Sequence, residues 1–108
     1  MTVLGRSYVA KTMPEKELQK TIREMATAFG WSFVYSVPDS RLATAKGMPD
    51  LILLKEGRLM FAELKTMQGR LTSEQVIVLG LLRSIPEVEV NVWRPDSLLD
   101  GTVEKALR

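Results

Sequence analysis

Apolar residues recur at Leu18, Ile22, Met25 and Phe29, the spacing of one buried helix face. Thr12 and Glu15 stand at the separation of a capping box, Pro14 suits a first helical turn, and Gly30 follows the last apolar position. A helix starting at Thr12 and ending at Gly30 is therefore expected. From Trp31 to Val37 the pattern turns aromatic and β-branched, which predicts a strand stopped by Pro38. After a polar loop from Asp39 to Gly47, Leu51 to Leu54 reads as a short buried strand. Lys55-Glu56-Gly57-Arg58 reads as the turn into a second strand, Leu59 to Lys65, so the two form a hairpin. Thr72 and Gln75 repeat the capping-box spacing ahead of a helix running to about Arg83. Val88, Val90 and Val92 alternate as a last strand, and Leu98, Leu99, Val103, Ala106 and Leu107 predict a closing helix.

The resulting order, α-β-β-β-α-β-α, is that of an α/β domain. The last strand follows a helical crossover, so it is expected to lie parallel to a neighbour in a mixed sheet covered by helices. No repeat or linker divides residues 1–108, which are read as one domain with Met1 to Lys11 as a loosely structured arm.

Composition narrows the chemistry more than it identifies it. With no cysteine, thiolate nucleophiles, disulfides and cysteine-bound zinc are excluded. With no histidine, Ser/His/Asp catalysis, imidazole bases and nearly every protein zinc site are excluded as well. Any metal must then be held by oxygen, which favours Mg²⁺ or Mn²⁺. The net charge of +2 is too small to argue for nucleic acid without a local basic patch. No apolar run approaches the roughly 20 residues of a membrane span, and no secretion signal is recognisable, so a soluble, cytoplasmic protein is expected.

Candidate chemistry gathers on the predicted hairpin. Alternation places Leu59, Phe61, Glu63 and Lys65 on one face of their strand and Met60, Ala62 and Leu64 on the other. Asp50 stands where the preceding strand begins, so hairpin pairing brings it to Glu63. Two converging carboxylates repel unless a cation lies between them, and a divalent metal meets that need, with the Leu64 backbone carbonyl as a further ligand. Lys65 would then stabilise charge on a phosphate or orient the attacking water. Glu15 falls on the helix side of Leu18, Gln19 and Ile22 and is either a third carboxylate or the partner of Thr12 in a cap. Gln75 is either a site residue or the partner of Thr72 in a cap, and the local spacing favours the cap. Ser40, Arg41, Lys46 and Arg70 flank these positions as candidate phosphate contacts. Tyr35 and Trp93 are candidates for base stacking, with packing the simpler role for both.

In Glu15-Lys16-Glu17-Leu18-Gln19, Asp39-Ser40-Arg41, Gly47-Met48-Pro49-Asp50-Leu51, Phe61-Ala62-Glu63-Leu64-Lys65 and Gly69-Arg70-Leu71-Thr72-Ser73-Glu74-Gln75, the chain resembles stand-alone VRR-NUC domains of the PD-(D/E)XK nuclease superfamily. The similarity spans Pro14 to Pro95. It implies a restriction-endonuclease-like α-β-β-β-α-β core, Mg²⁺ or Mn²⁺ dependence and hydrolysis of phosphodiester bonds in structured DNA. It assigns Glu15, Asp50 and Glu63 to the metal, Lys65 to the catalytic lysine and Gln75 to the glutamine that opens the second helix. It also implies a homodimer that cleaves four-way (Holliday) junctions. Ser73 stands where many relatives have proline, and serine fits that turn.

Two other readings remain at this stage. One is a flap-directed or non-catalytic module that binds branched DNA for a partner enzyme; the intact Asp50, Glu63 and Lys65 count against loss of turnover. The other is a structural or toxin-antitoxin-like interaction domain with an incidental acidic pair, disfavoured by the absence of a large exposed apolar face in the pattern and by the inward position of Glu15.

Overall fold

The computed structural model describes residues 9–38 and 46–108. Residues 9–12 are helical, and α1 then runs Glu15–Ala28 with Pro14 as its N-cap. The strands are β1 (Phe33–Ser36), β2 (Leu51–Lys55), β3 (Arg58–Leu64) and β4 (Val88–Trp93), with α2 (Ser73–Arg83) between β3 and β4. Two short helices, α3 (Pro95–Leu99) and α4 (Thr102–Leu107), close the chain.

The sheet order is β1-β2-β3-β4. β1 and β3 pair antiparallel with β2, and β4 pairs parallel with β3, as a strand returning through a helical crossover must. Alternation divides the sheet into two faces. Leu51, Leu53, Met60, Ala62 and Leu64 are fully buried with Leu18, Ile22 and Ala26 of α1 and Val103 and Leu107 of α4. The opposite face carries Phe61 and Glu63, and α2 covers it over β4. The chain is thus an α/β domain whose mixed four-stranded sheet has helices on both sides. Among the described residues no helix is long and apolar enough to cross a membrane.

Five expectations change. The Thr12–Glu15 capping box is not formed. Thr12 belongs to the preceding helical turn, where its hydroxyl donates to the Val9 carbonyl, while Pro14 holds the extended backbone an N-cap requires, at φ −72° and ψ 155°. Residues 9–11, read as part of the arm, are helical for the same reason; residues 1–8 lie outside the description. Trp31 does not extend β1, because its ring turns inward. The indole Nε1 donates to the Leu107 carbonyl at 2.9 Å, and the Arg58 guanidinium lies 4.7 Å from the ring centre. β2 is buried on one face only, with Leu54 41% exposed on the other, and the closing helix is broken at Asp100-Gly101, where the Asp100 carboxylate accepts from the Thr102 amide.

The segment entering β2 is held by a close approach. At Gly47, φ is +93° and an added Cβ would lie 2.5 Å from the Glu74 carbonyl oxygen at the start of α2, so both the backbone conformation and the contact demand glycine. Gly57, in the hairpin turn, has φ +76° but nothing within 4 Å of an added Cβ. Gly57→Ala is therefore expected to cost about 1 kcal/mol, from backbone conformation alone. Gly47→Ala is expected to cost about 3 kcal/mol, because backbone must also move. Urea denaturation of the two variants tests this, and equal losses would contradict the close-packing argument.

Candidate active site

β2 begins at Leu51, paired with Ala62, whereas β3 continues to Leu64. The Leu64 amide therefore lies beyond the last β2 partner, inside a fully buried residue, and needs an acceptor. Asp50 supplies it: its Oδ2 accepts from Leu64 N at 2.7 Å. The Asp50 carbonyl in turn accepts from Val37 N at 2.8 Å, so the residue is fixed to both neighbouring strands. In a strand, the N–H and C=O of one residue point to the same side. The Leu64 carbonyl thus faces the Asp50 side and not β4.

Glu63 is 1% exposed, the one charged residue buried among those described. Its Oε1 accepts from the Gln75 side-chain amide at 3.2 Å and lies 3.7 Å from the Lys65 ammonium. Gln75 also completes a capping box: its Oε1 accepts from Thr72 N, while Thr72 Oγ1 accepts from Gln75 N. The capping box of α2 thereby holds one end of the Glu63 carboxyl. The other oxygen, Oε2, is buried with no hydrogen-bond partner. Two ionised carboxylates cannot bond to each other, but a proton on Glu63 would be shared with Asp50.

Burial, the Asp50 hydrogen bond and the Asp50 charge push the Glu63 carboxyl up to about 8, with Lys65 opposing and Glu15 adding to the rise. Glu15 is exposed as a residue, yet its carboxyl is turned to the same cavity. Loss of water there, followed by the Asp50 charge, raises its pKa against the opposing effect of Lys65.

Glu15, Asp50, Glu63, Lys65 and Gln75 line one cavity of about 360 Å³ at the end of the hairpin, with Gln19, Val37, Pro38, Met48 and Pro49 completing its wall. The donors are oxygens of the kind a hard cation takes, and the orphaned Glu63 Oε2 has the place of a ligand atom. Asp50 and Glu63 could hold such an ion, whereas Leu64 is not part of the cavity wall. Glu15 shares the cavity but does not close a three-acid cluster: among the described residues no group of three His, Cys, Asp or Glu is set to hold a metal.

The remaining candidates separate. Ser40 and Arg41 lie outside the described residues. Lys46 and Arg70 are exposed and absent from the cavity wall. Trp93 is core, at 1% exposure, whereas Tyr35 is exposed and stacks on Phe33. Sequence reasoning missed Arg94, whose Nη1 donates to the carbonyls of Thr66 and Gly69, each at 2.6 Å. It pins the loop between Lys65 and Arg70 through contacts that no local spacing announces.

The Glu63 shift has a sign that stability measurements can read. A carboxyl raised from 4.5 to about 8 on folding binds more protons folded than unfolded, so its contribution is present below about pH 4.5 and lost as pH rises through about 8. Glu15 acts in the same direction. With EDTA present, the Tm of Glu63→Gln relative to the unsubstituted protein should therefore rise between pH 5 and pH 9 on the order of several degrees. A constant difference across that range would show that Glu63 does not carry a proton in the folded state.

Comparison with protein-family models, curated proteins and solved structures found no match.

Proposed function

We propose that this chain is a divalent-metal-dependent endonuclease of the PD-(D/E)XK kind that hydrolyses phosphodiester bonds in branched DNA. The observation that carries the reading is the convergence of Asp50, Glu63, Lys65 and Gln75 on one polar cavity, with a buried Glu63 oxygen lacking a partner. The order and pairing of α1, β1 to β3, α2 and β4 are those expected of a restriction-endonuclease-like core, and they support it.

Mg²⁺ or Mn²⁺, when bound, supplies Lewis acidity toward the phosphate and the attacking water. Asp50 and Glu63 would hold the ion, with the Leu64 carbonyl as a further ligand. Gln75 fixes Glu63 Oε1 and leaves Oε2 without a partner, and Glu15 adds negative charge from α1. Lys65, with 14% of its side chain exposed, keeps its ammonium beside Glu63. There it stabilises charge on the phosphorus oxygens as water adds and the P–O ester bond breaks. The leaving oxygen takes a proton, giving a phosphate monoester and a free hydroxyl.

Four-way junctions are the favoured substrate, cleaved by a homodimer. A second copy of the chain is supported by the outward side of α2 and its following turn, where Val76, Ile77, Leu81 and Ile85 are 48–64% exposed. That apolar surface also corrects the expectation that no such face exists, and it removes one argument against an interaction module. Turnover decides between them.

Labelled four-way junction, flap and linear duplex should be incubated with Mg²⁺, Mn²⁺ or EDTA. Metal-dependent cleavage of the junction, abolished by EDTA, is the expected outcome; binding without cleavage would favour the non-catalytic module, and preferential flap cleavage the flap-directed alternative. Asp50→Asn should lose at least about 100-fold in rate while retaining junction binding, because the amide can still accept from Leu64 N but lacks the ligand charge. Lys65→Met should lose a similar factor while metal affinity persists. Near-normal turnover in folded Asp50→Asn would remove Asp50 from the site.

A further inference from the structure

Alongside the catalytic cavity, a second and larger groove of about 860 Å³ runs between α1 and β1. Its α1 side carries Lys16, Lys20 and Arg23, spaced four and three residues apart and therefore on one helical stripe. At 1.5 Å of rise per residue they are about 6 and 4.5 Å apart along the axis, comparable to the separation of successive phosphates along a nucleic-acid strand. Gln19 lines both this groove and the catalytic cavity, so the two adjoin.

One polar cluster, at Ser36, marks the β1 side of this groove. Ser36 Oγ accepts from Gln19 Nε2 and from Arg23 Nη1, each at 2.7 Å. Those bonds occupy both hydroxyl lone pairs and leave its O–H as a donor, which meets no acceptor among the described residues. The Ser36 contact also fixes the Arg23 head and leaves its other N–H groups available. Glu17 and Glu24 line the groove as well, about 60° and 40° around the helix from Lys20 and about 80–120° from Lys16 and Arg23. Among the described residues the ion pairs are Arg58–Glu89, Lys65–Glu63 and Arg108–Glu104, and none involves the three cations of the stripe.

We propose that this groove binds the phosphodiester backbone of the DNA strand leading away from the catalytic cavity, with Lys16, Lys20 and Arg23 on neighbouring phosphates and the Ser36 hydroxyl donating to one of them. The identity of the ligand rests on the nuclease reading; the groove with its basic stripe does not. It extends the candidate DNA contacts onto α1.

Binding of labelled junction and duplex DNA, measured by fluorescence anisotropy in EDTA over a salt series, tests the proposal without cleavage. Each phosphate contact contributes about 0.9 to the slope of log K against log salt. Lys16→Gln, Lys20→Gln and Arg23→Gln should each make the slope shallower by about that amount, and the triple variant by about three times as much. Arg83→Gln, on α2 across the sheet, should leave it unchanged. Arg23→Lys should retain the slope, and Ser36→Ala should weaken binding without altering it. Circular dichroism checks that each variant is folded. An unsubstituted slope in the folded triple variant overturns the groove assignment, as does a protein that binds anionic vesicles but no DNA. A protein that shows the expected slopes yet cleaves nothing upholds the groove and overturns the nuclease reading instead.

Discussion

The hydrogen bond from the Leu64 amide to the Asp50 carboxylate is the contact on which the arrangement depends. β3 outlasts β2, and its buried backbone needs an acceptor where its antiparallel partner has stopped. Pro49, buried and without an N–H, ends the ladder, and Gly47 seats the incoming chain on the first turn of α2. With Val37 holding its carbonyl, Asp50 has little freedom. It is placed against Glu63 by the same bonds that complete the sheet.

That placement is costly for the folded chain alone. A carboxyl as buried as Glu63 would normally be paired on both oxygens, yet one oxygen has no donor and an acidic neighbour stands beside it. Lys65 and Gln75 both approach the other oxygen. An isolated domain selected for stability would have an apolar residue here, as on the opposite face of β3, where Met60, Ala62 and Leu64 are fully buried. The local destabilisation is what a cation-binding, phosphate-handling site requires.

The parts legible in the sequence were those fixed by short periods. Alternation in β3 separates Glu63 from Met60 and Ala62; the hairpin register brings Asp50 to the end of that strand; and the Thr72–Gln75 spacing locates the start of α2. The same spacing misled at Thr12–Glu15, because a separate helical turn precedes Pro14 and claims Thr12. Periodicity also could not show that Gln75 would cap its helix with one end and hold Glu63 with the other, or that Trp31 would turn under the Leu107 carbonyl. Those contacts join residues 12 and 76 positions apart. The exposed side of α2 was hidden for a related reason: its apolar residues look like core until Leu79 is seen to be the buried one.

The central claim is that the proton held by Glu63 beside Asp50 stands where a divalent cation would bind. Calorimetric titration with Mn²⁺ near neutral pH, in two buffers of different ionisation enthalpy, measures metal affinity and proton release together. The account predicts saturable binding with about one proton released per ion, and loss of that release in Glu63→Gln. Absence of binding, or binding with no proton displaced, would contradict it.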